Sequence, residues 1–209
     1  MSLQEPLKIL SLDGGGIRGL SSLLILEDIM EKIRDKNGLS HVPRPYEYFD
    51  LIGGTSTGGI IAIMLGRLQM TVDECIQAYR ELARRAFSLK PRSKSPSRIK
   101  QKVASVLTSR SALDIPISSS SMFSAVCLED AMKWLIKSFC AEVECKRLRD
   151  QGQSTVGTCP HENMLFRDKT CTKTVVLAMT RDNINALPTL FKTYDSSTAF
   201  ESCTIWQVA

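Results

Sequence analysis

Long apolar segments are missing from this sequence of 209 residues. No run approaches the roughly 18 consecutive apolar residues that a membrane-spanning helix needs, so we expect no transmembrane segment. The N-terminal residues 1–6 also lack a basic stretch followed by an apolar run, which is the pattern of a secretory signal. These absences predict a soluble, cytoplasmic protein, with peripheral contact to membranes as a further expectation.

A regular cysteine pattern is also missing. The seven cysteines are odd in number and scattered, which favours reduced thiols over a disulfide framework in a chain without a secretory signal. Four residues are candidates for a zinc set: Cys145, Cys159, His161 and Cys171. Their gaps match no compact zinc template, and Cys127 and Cys140 fall in a helical pattern typical of small core residues. We expect no metal and no other cofactor.

Acidic residues are absent from the segment 82–113, which holds nine of the 27 basic residues. The proline and serine content of residues 90–98 is typical of a solvated loop, and we favour that interpretation. The alternative is attraction to anionic lipid headgroups. Aromatic residues make up only 6% of the chain, and no motif that reads nucleic acid occurs, so we expect no nucleic-acid partner.

The order of the predicted elements indicates an α/β protein. The chain has 209 residues, of which 43% are hydrophobic. It is therefore long enough for one substantial hydrophobic core and short for two domains. Hydrophobic patterns predict strand, helix, strand and helix in turn over residues 8–12, 19–34, 48–53 and 56–68. Strands that alternate with helices form a parallel sheet with helices on its faces, and sites lie at the carboxyl ends of the strands.

The second half of the chain has weaker patterns. Thr71 and Glu74 have the spacing of a capping box, which predicts a helix along the apolar face that begins at Val72. A further helix is predicted over residues 123–139, and strands over 174–179 and 187–194. Residues 142–170 show little periodicity and are predicted to be loop.

Two glycine-rich turns follow the first two predicted strands. The second, residues 53–59, reads Gly-Gly-Thr-Ser-Thr-Gly-Gly and contains the pattern Gly-x-Ser-x-Gly. That pattern places a serine on a sharp bend between strand and helix, so Ser56 is the candidate nucleophile. The first turn, residues 13–19, places backbone N–H groups at a helix start, where they favour a developing negative charge. Together the turns predict a nucleophile and its oxyanion hole.

A nucleotide site is the alternative for the first turn, because Gly14, Gly16 and Gly19 have the spacing of a dinucleotide-binding fingerprint. Such a unit needs a second strand that ends in an acidic residue about twenty positions later. Here the sequence up to Asp35 is predicted to be helix, and the next strand ends in the serine turn. We therefore do not expect a nucleotide site.

The two turns, in this order and about forty residues apart, resemble the patatin-like phospholipases. The resemblance implies a three-layer α/β fold and a Ser-Asp dyad with Ser56 as its nucleophile. It also implies Gly14, Gly15 and Gly16 as the oxyanion-hole loop and Arg18 as the loop arginine. The remaining residues of the nucleophile turn are Gly54, Thr55, Thr57 and Gly58. We expect the domain to span residues 8–209, after a short N-terminal extension of residues 1–7.

The dyad aspartate of this family lies in an Asp-Gly-Gly or Asp-Gly-Ala turn downstream of the serine, and no such turn occurs in this sequence. The only Asp-Gly pair begins at Asp13, and no motif places His41 or His161 beside Ser56. Residues 203–209 resemble the start of the family segment that leads to the aspartate, so we expect a C-terminally incomplete domain.

These observations predict a serine hydrolase that cleaves fatty-acyl esters of phospholipids or other lipids through an acyl-enzyme on Ser56, without a cofactor. The expected partner is the lipid substrate, with transient contact to a membrane surface. The alternative is a catalytically inactive member of the family that binds lipid or is vestigial.

Overall fold

A computed structural model describes residues 6–86, 125–140, 142–179, 187–194 and 200–209. Most of the basic segment predicted as loop lies outside these residues, as do Phe87 and the first residues of the predicted extension.

The described residues form a four-stranded sheet. Its strands are β1 (Ile9–Leu12), β2 (Leu51–Thr55), β3 (Lys173–Ala178) and β4 (Thr189–Lys192), and they lie side by side in that order. The first three strands are parallel, whereas β4 is antiparallel to β3. The α/β class and all four predicted strands are confirmed.

Seven α-helices occur in the described residues. They are α1 (Gly19–Asn37), α2 (Pro45–Tyr48), α3 (Thr57–Ala62), α4 (Val72–Ala86), α5 (Ala125–Ser138), α6 (Val143–Asp150) and α7 (Ile205–Val208). Helix α3 continues into a π-helical turn over Ile63–Arg67. Helix α3 contacts β1, β2 and β3, and α4 contacts both α1 and α5.

Helix α3 and its π-helical turn form the centre of the core. Their apolar residues are Ile60, Ile61, Ala62, Ile63, Met64 and Leu65, all of them buried. A helix that is hydrophobic on every side is stable only when protein surrounds it. Because α3 begins one residue after Ser56, a buried helix supports the serine turn.

The beginning of α4 follows the predicted capping box. The backbone N–H of Thr71 donates to Glu74 Oε2 at 2.8 Å, and the backbone N–H of Glu74 donates to Thr71 Oγ1 at 3.1 Å. Two N–H groups that would otherwise lack a partner at the helix start are thereby satisfied. Val72, Ile76 and Tyr79 of the predicted apolar face are buried.

One predicted strand boundary and one predicted loop are wrong. The strand predicted from residue 48 begins at Leu51, because Pro45 opens a helical turn that Glu47 caps through the backbone N–H of Arg44 at 2.8 Å. The loop predicted over residues 142–170 contains α6 and a short 3₁₀ helix, His161–Asn163. Helix α6 has no apolar face that periodicity could reveal, since Cys145 is its one buried residue.

Candidate active site

Ser56 lies at the bend between β2 and α3. Its backbone has φ 52° and ψ −127°, a conformation that glycine adopts readily and residues with a side chain rarely do. Serine 56 is exposed, although the helix that follows it is buried. The sharp bend that the Gly-x-Ser-x-Gly pattern predicts is therefore present, with its serine accessible at the carboxyl edge of the sheet.

Glycines on both sides of Ser56 allow the backbone segments to approach closely. A methyl group on Gly54 would collide with the backbone of Gly58, and one on Gly58 would collide with the carbonyl oxygen of Leu12. The serine turn can therefore pack against the end of β1 only with glycine at these two positions.

The glycine loop after β1 contacts the serine turn, because β1 and β2 are parallel neighbours. The backbone N–H of Gly14 donates to Thr55 Oγ1 at 3.1 Å. The backbone N–H groups of Gly15 and Gly16 both donate to Thr57 Oγ1, each at 3.1 Å. Two amides that converge on one oxygen atom have the arrangement needed to hold a single negative charge.

Gly14 lies close to the nucleophile turn. A methyl group on Gly14 would lie 2.8 Å from Ser56 Cβ and 3.5 Å from Ser56 Oγ. The glycine loop thus lies directly beside the serine side chain, and a larger residue at position 14 would push it away.

Arg18 holds the glycine loop in its turn. Its backbone N–H donates to the carbonyl oxygen of Gly15 at 3.2 Å, and its side-chain Nε donates to the same oxygen at 3.4 Å. Gly16, between them, has φ 57°, a value that favours glycine. Arg18 itself is exposed.

Tyr79 of α4 is a second support of the glycine loop, and the sequence did not single it out for this role. Its hydroxyl donates to the carbonyl oxygen of Gly16 at 2.6 Å, across 63 positions of sequence. Burial raises the pKa of the Tyr79 phenol. A methyl group on Gly19 would collide with the Tyr79 ring. Tyr79 therefore connects α4 to the glycine loop.

A cavity of about 220 Å³ opens beside Ser56. Its lining comes from the two turns, α3, α4 and α5, and from the residue after α7: Gly16, Ile17, Ser56, Thr57, Ile60, Tyr79, Leu82, Ala83, Ala86, Leu128 and Ala209. Most of these residues are apolar. The cavity therefore offers a hydrocarbon chain an environment next to the serine hydroxyl.

A base for Ser56 is not found in the part of the chain that the structure describes, where no residue hydrogen-bonds to Ser56 Oγ. His41 is exposed and its Nδ1 lies 3.1 Å from Ser40 Oγ. His161 lies among cysteine sulfurs instead. Three downstream aspartates fall outside the described residues: Asp114, Asp182 and Asp195.

Asp168 is engaged elsewhere. Its Oδ2 lies 3.1 Å from Arg67 Nη1, and its Oδ1 accepts hydrogen bonds from the backbone and hydroxyl of Thr170. Burial acts to raise the pKa of Asp168, but the hydrogen bonds from Thr170 and the charge of Arg67 outweigh it and lower that pKa. This carboxylate stabilises the fold, because it balances a guanidinium that is only 5% exposed.

The structure regroups the four residues weighed as zinc ligands. Cys145, Cys159 and His161 lie together, and the fourth member is Cys140. Cys171 lies elsewhere, with its Sγ 3.3 Å from the carbonyl oxygen of Asp168. The expectation that Cys140 is only a small core residue therefore needs correction: it is buried, but its sulfur lies 3.4 Å from His161 Nδ1.

A comparison with protein families matches residues 10–203 to the model described as patatin-like phospholipase. The match covers both turns and, apart from Ile9 at the start of β1, all four strands. The chain belongs to this family. The resemblance carried by the two turns is thereby confirmed, while the individual roles of Ser56 and the loop glycines stay predictions.

Curated relatives of this patatin-like chain carry phospholipase names. Phospholipase A I of Arabidopsis thaliana is 40% identical over 85 residues, which are 41% of this chain and 6% of that protein. The calcium-independent phospholipase A2-gamma of Homo sapiens is 43% identical over 82 residues, 39% of this chain and 10% of that protein. The cGAMP-activated phospholipase of Vibrio cholerae is 46% identical over 63 residues, 30% of this chain and 18% of that protein.

The matched segments thus span less than a fifth of the length of each of these relatives. Among the helices that the structure describes, none combines the length and the apolar character needed to cross a bilayer.

Proposed function

We propose that this chain contributes Ser56 as the nucleophile of a hydrolase that cleaves fatty-acyl esters of phospholipids or other lipids. In the proposed reaction, Ser56 Oγ attacks the acyl carbonyl carbon while a base takes its proton, and the alcohol leaves. Water then releases the fatty acid from the acyl-enzyme. The observation that carries the proposal is the exposed serine in its strained bend, beside the glycine loop.

The oxyanion is proposed to bind to the backbone N–H groups of Gly14, Gly15 and Gly16. The convergence of two of these amides on Thr57 Oγ1 supports this role. An oxyanion at that position replaces a neutral hydroxyl acceptor with a charged one. Hydrogen bonds to charged acceptors are roughly twice as strong as neutral ones. The exchange therefore favours the tetrahedral intermediate over the resting enzyme.

The cavity beside Ser56 is proposed to hold the acyl chain of the substrate. Its apolar lining supports a hydrocarbon ligand, and the exposed Ser56 lies at its polar end. Burying an acyl chain gains about 0.8 kcal/mol for each CH₂ group removed from water. This gain positions the ester carbonyl next to the serine and the loop amides.

The base is proposed to be an aspartate, as in the Ser-Asp dyad that the family resemblance implies. We assign it to no residue of this sequence, because no downstream aspartate precedes glycine. A serine without its base is a poor nucleophile, and loss of the direct partner in a serine protease triad costs on the order of 10⁶ in rate. The rate of ester cleavage by this 209-residue chain therefore depends more on the presence of such a base than on any other group.

A second candidate function is lipid binding without catalysis. The observation that favours it is the absence of a hydrogen-bonded base on Ser56 Oγ within the described ranges. Such a protein would use the apolar cavity to hold an acyl chain and leave the ester intact.

The substrate is proposed to be met at a membrane surface, by a protein that is otherwise cytoplasmic. The nine basic residues between positions 82 and 113, with no acidic residue among them, support transient attraction to anionic headgroups. Such attraction is worth about 1 kcal/mol for each basic residue near the surface.

The decisive experiment is labelling of the 209-residue chain with a fluorophosphonate probe, which reacts only with an activated serine. If an aspartate of this chain supplies the base, we expect labelling of the wild-type chain, none of Ser56→Ala, and wild-type labelling of the control Ser40→Ala, which alters an exposed serine outside the site. We expect the same pattern for release of fatty acid from phospholipid vesicles: release by the wild type and Ser40→Ala, and none by Ser56→Ala. Release should be faster from anionic than from neutral vesicles.

Labelling that persists in Ser56→Ala contradicts the assignment of the nucleophile. A wild-type chain that stays unlabelled, yet binds a fluorescent fatty acid in a manner that bulky substitution of Leu128 prevents, supports the second candidate instead.

A further inference from the structure

We propose that Cys140, Cys145, Cys159 and His161 bind one zinc ion. Cys140 follows the end of α5, Cys145 lies within α6, and Cys159 and His161 flank the start of the 3₁₀ helix His161–Asn163. Three of the side chains are buried, and the histidine is partly buried. This four-residue cluster is separate from the residues that line the cavity beside Ser56.

The three sulfur–nitrogen distances of the cluster, and the distance between the sulfurs of Cys145 and Cys159, are those of a tetrahedral metal site. His161 Nδ1 lies 3.4–3.5 Å from all three sulfur atoms. Cys145 Sγ lies 3.6 Å from Cys159 Sγ, and all four atoms are within 4.8 Å of one another. Zinc bonds of about 2.3 Å to sulfur and about 2.0–2.1 Å to nitrogen, at tetrahedral angles, separate two sulfurs by about 3.8 Å and sulfur from nitrogen by about 3.5 Å.

Hydrogen bonding alone does not account for this arrangement. A neutral imidazole nitrogen carries either one N–H or one lone pair, so it satisfies one partner. His161 Nδ1 nevertheless lies at nearly equal distance from three sulfur atoms. A disulfide is equally unsuited, since its sulfurs are about 2.05 Å apart. A cation at the centre satisfies all four groups at once.

The ligand set selects zinc and a structural role. Three thiolates and one imidazole are a ligand combination of structural zinc sites, in which protein groups fill all four positions. As the ion binds, thiol protons pass to solvent and three Zn–S bonds and one Zn–N bond form, with no change of oxidation state. No coordination position is left for a substrate, so the site is not expected to take part in ester hydrolysis.

Groups outside the four proposed ligands hold those ligands in place. The guanidinium of Arg149 donates to the carbonyl oxygens of Ser138 and Cys140 at 3.3 and 3.2 Å. A positive group next to Cys140 also offsets the net negative charge of a zinc ion with three thiolates. Such outer contacts are typical of metal sites.

The segment around α6 needs a cross-link of this kind. Its buried cluster consists of the three cysteines, with Met164 packed against them. So small an apolar core provides little stability by itself, and a metal replaces the missing hydrophobic core in many small folds. The proposed ion would fasten α6 and the 3₁₀ helix to the end of α5, whose Leu128 forms part of the cavity wall.

The test is the zinc content of the purified, reduced 209-residue chain, expressed with zinc in the medium and measured by mass spectrometry. We expect about one zinc ion per chain. Cys145→Ser and His161→Ala are each expected to lower the zinc content at least about fivefold, as expected when one of four ligands is lost. The matched controls are Cys171→Ser and His41→Ala, which change the same residue types outside the cluster and should keep the wild-type content.

A second measurement does not depend on the folding of variants. Replacement of zinc by Co²⁺ in the wild-type chain should produce the visible absorption bands of tetrahedral cobalt and the ultraviolet bands of cobalt–thiolate bonds. The proposal is overturned if wild-type chain holds less than about a tenth of a zinc ion per molecule and shows no such bands, or if a disulfide links two of the cluster cysteines. Labelling of Ser56 is measured separately, so either proposal can fail alone.

Discussion

Ser56 stores strain in its backbone, and this strain is separable from the chemistry of its hydroxyl. A residue with a Cβ at φ 52° and ψ −127° costs about 1–3 kcal/mol, which the surrounding structure must offset. Glycine adopts this conformation without that cost. The serine turn therefore lowers the stability of the fold, and it exposes the hydroxyl oxygen of Ser56.

We expect Ser56→Gly to be more stable than Ser56→Ala by about 1 kcal/mol. Relief of strain contributes about 1–3 kcal/mol, and the greater freedom of glycine in the unfolded chain removes about 0.5–1 kcal/mol of it. Both variants lack the hydroxyl, so their difference isolates the backbone. Chemical denaturation measures the difference, and a Ser56→Gly variant less stable than Ser56→Ala by about 0.5–1 kcal/mol would show that the bend is unstrained.

At the scale of elements, α4 fixes the glycine loop through a single hydroxyl group. The hydrogen bond from Tyr79 to the carbonyl oxygen of Gly16 crosses from the helix to the loop. Loss of the hydroxyl removes one of the two hydrogen bonds that this carbonyl oxygen accepts, at a cost of about 0.5–1.5 kcal/mol, while the backbone N–H of Gly19 still donates to it. The loop amides would then have more freedom to leave the positions in which they converge.

We expect Tyr79→Phe to slow fluorophosphonate labelling of Ser56 about tenfold, which corresponds to about 1.4 kcal/mol of lost transition-state stabilisation. The control is Tyr48→Phe, which removes a hydroxyl from α2, outside the cavity lining. If both variants label at the wild-type rate, Tyr79 does not position the loop.

The order strand, helix, strand, helix in the first 68 residues was predictable from sequence, because each element has a strong local signal. Strands β1 and β2 are short, mainly apolar segments beside glycine-rich turns, and α3 is apolar after Thr57. The capping box at Thr71 is equally local, since its two residues are three positions apart.

The elements that sequence analysis missed depend on distant contacts. Helix α6 buries one residue, so it shows no apolar periodicity. The antiparallel direction of β4 depends on how the chain returns after β3, which the strand's own residues do not specify. In the candidate site, the serine turn was readable, whereas Tyr79 and the proximity of Cys140 to His161 became visible only in three dimensions.

At the scale of the whole molecule, Arg67 links the end of the central helix to the segment before β3. Its side chain donates to the carbonyl oxygens of Phe166 and Leu165 at 3.1 and 3.0 Å, in addition to its ion pair with Asp168. These contacts join residues about a hundred positions apart. A buried guanidinium without its carboxylate would be destabilising.

The ion pair predicts a pH dependence of stability. Because the pKa of Asp168 is lowered in the folded state, its contribution is present above the unfolded value of about 3.9 and is lost as pH falls through the folded value. We expect Asp168→Asn to lower the free energy of unfolding by about 1–3 kcal/mol at neutral pH. Its stability should then decline less than that of the wild type between about pH 5 and pH 3.

Urea denaturation at a series of pH values measures this difference. Asp28→Asn is the control, since it alters an exposed carboxylate paired with Lys32, and such pairs contribute little. Parallel pH profiles for wild type and Asp168→Asn would contradict the assigned role.

The parallel pairing of β2 with β3 also sets an order of events during synthesis. Leu51 pairs with Lys173, so the partner strand of β2 is translated long after the serine turn and α3. At about 5–20 residues per second, the intervening stretch of roughly 110 residues takes about 5–20 s to emerge from the ribosome. Throughout that interval the apolar helix α3 lacks β3, one of the three strands against which it packs. The nascent chain therefore exposes an apolar surface on α3. Chaperones have to shield this surface until the fold is complete.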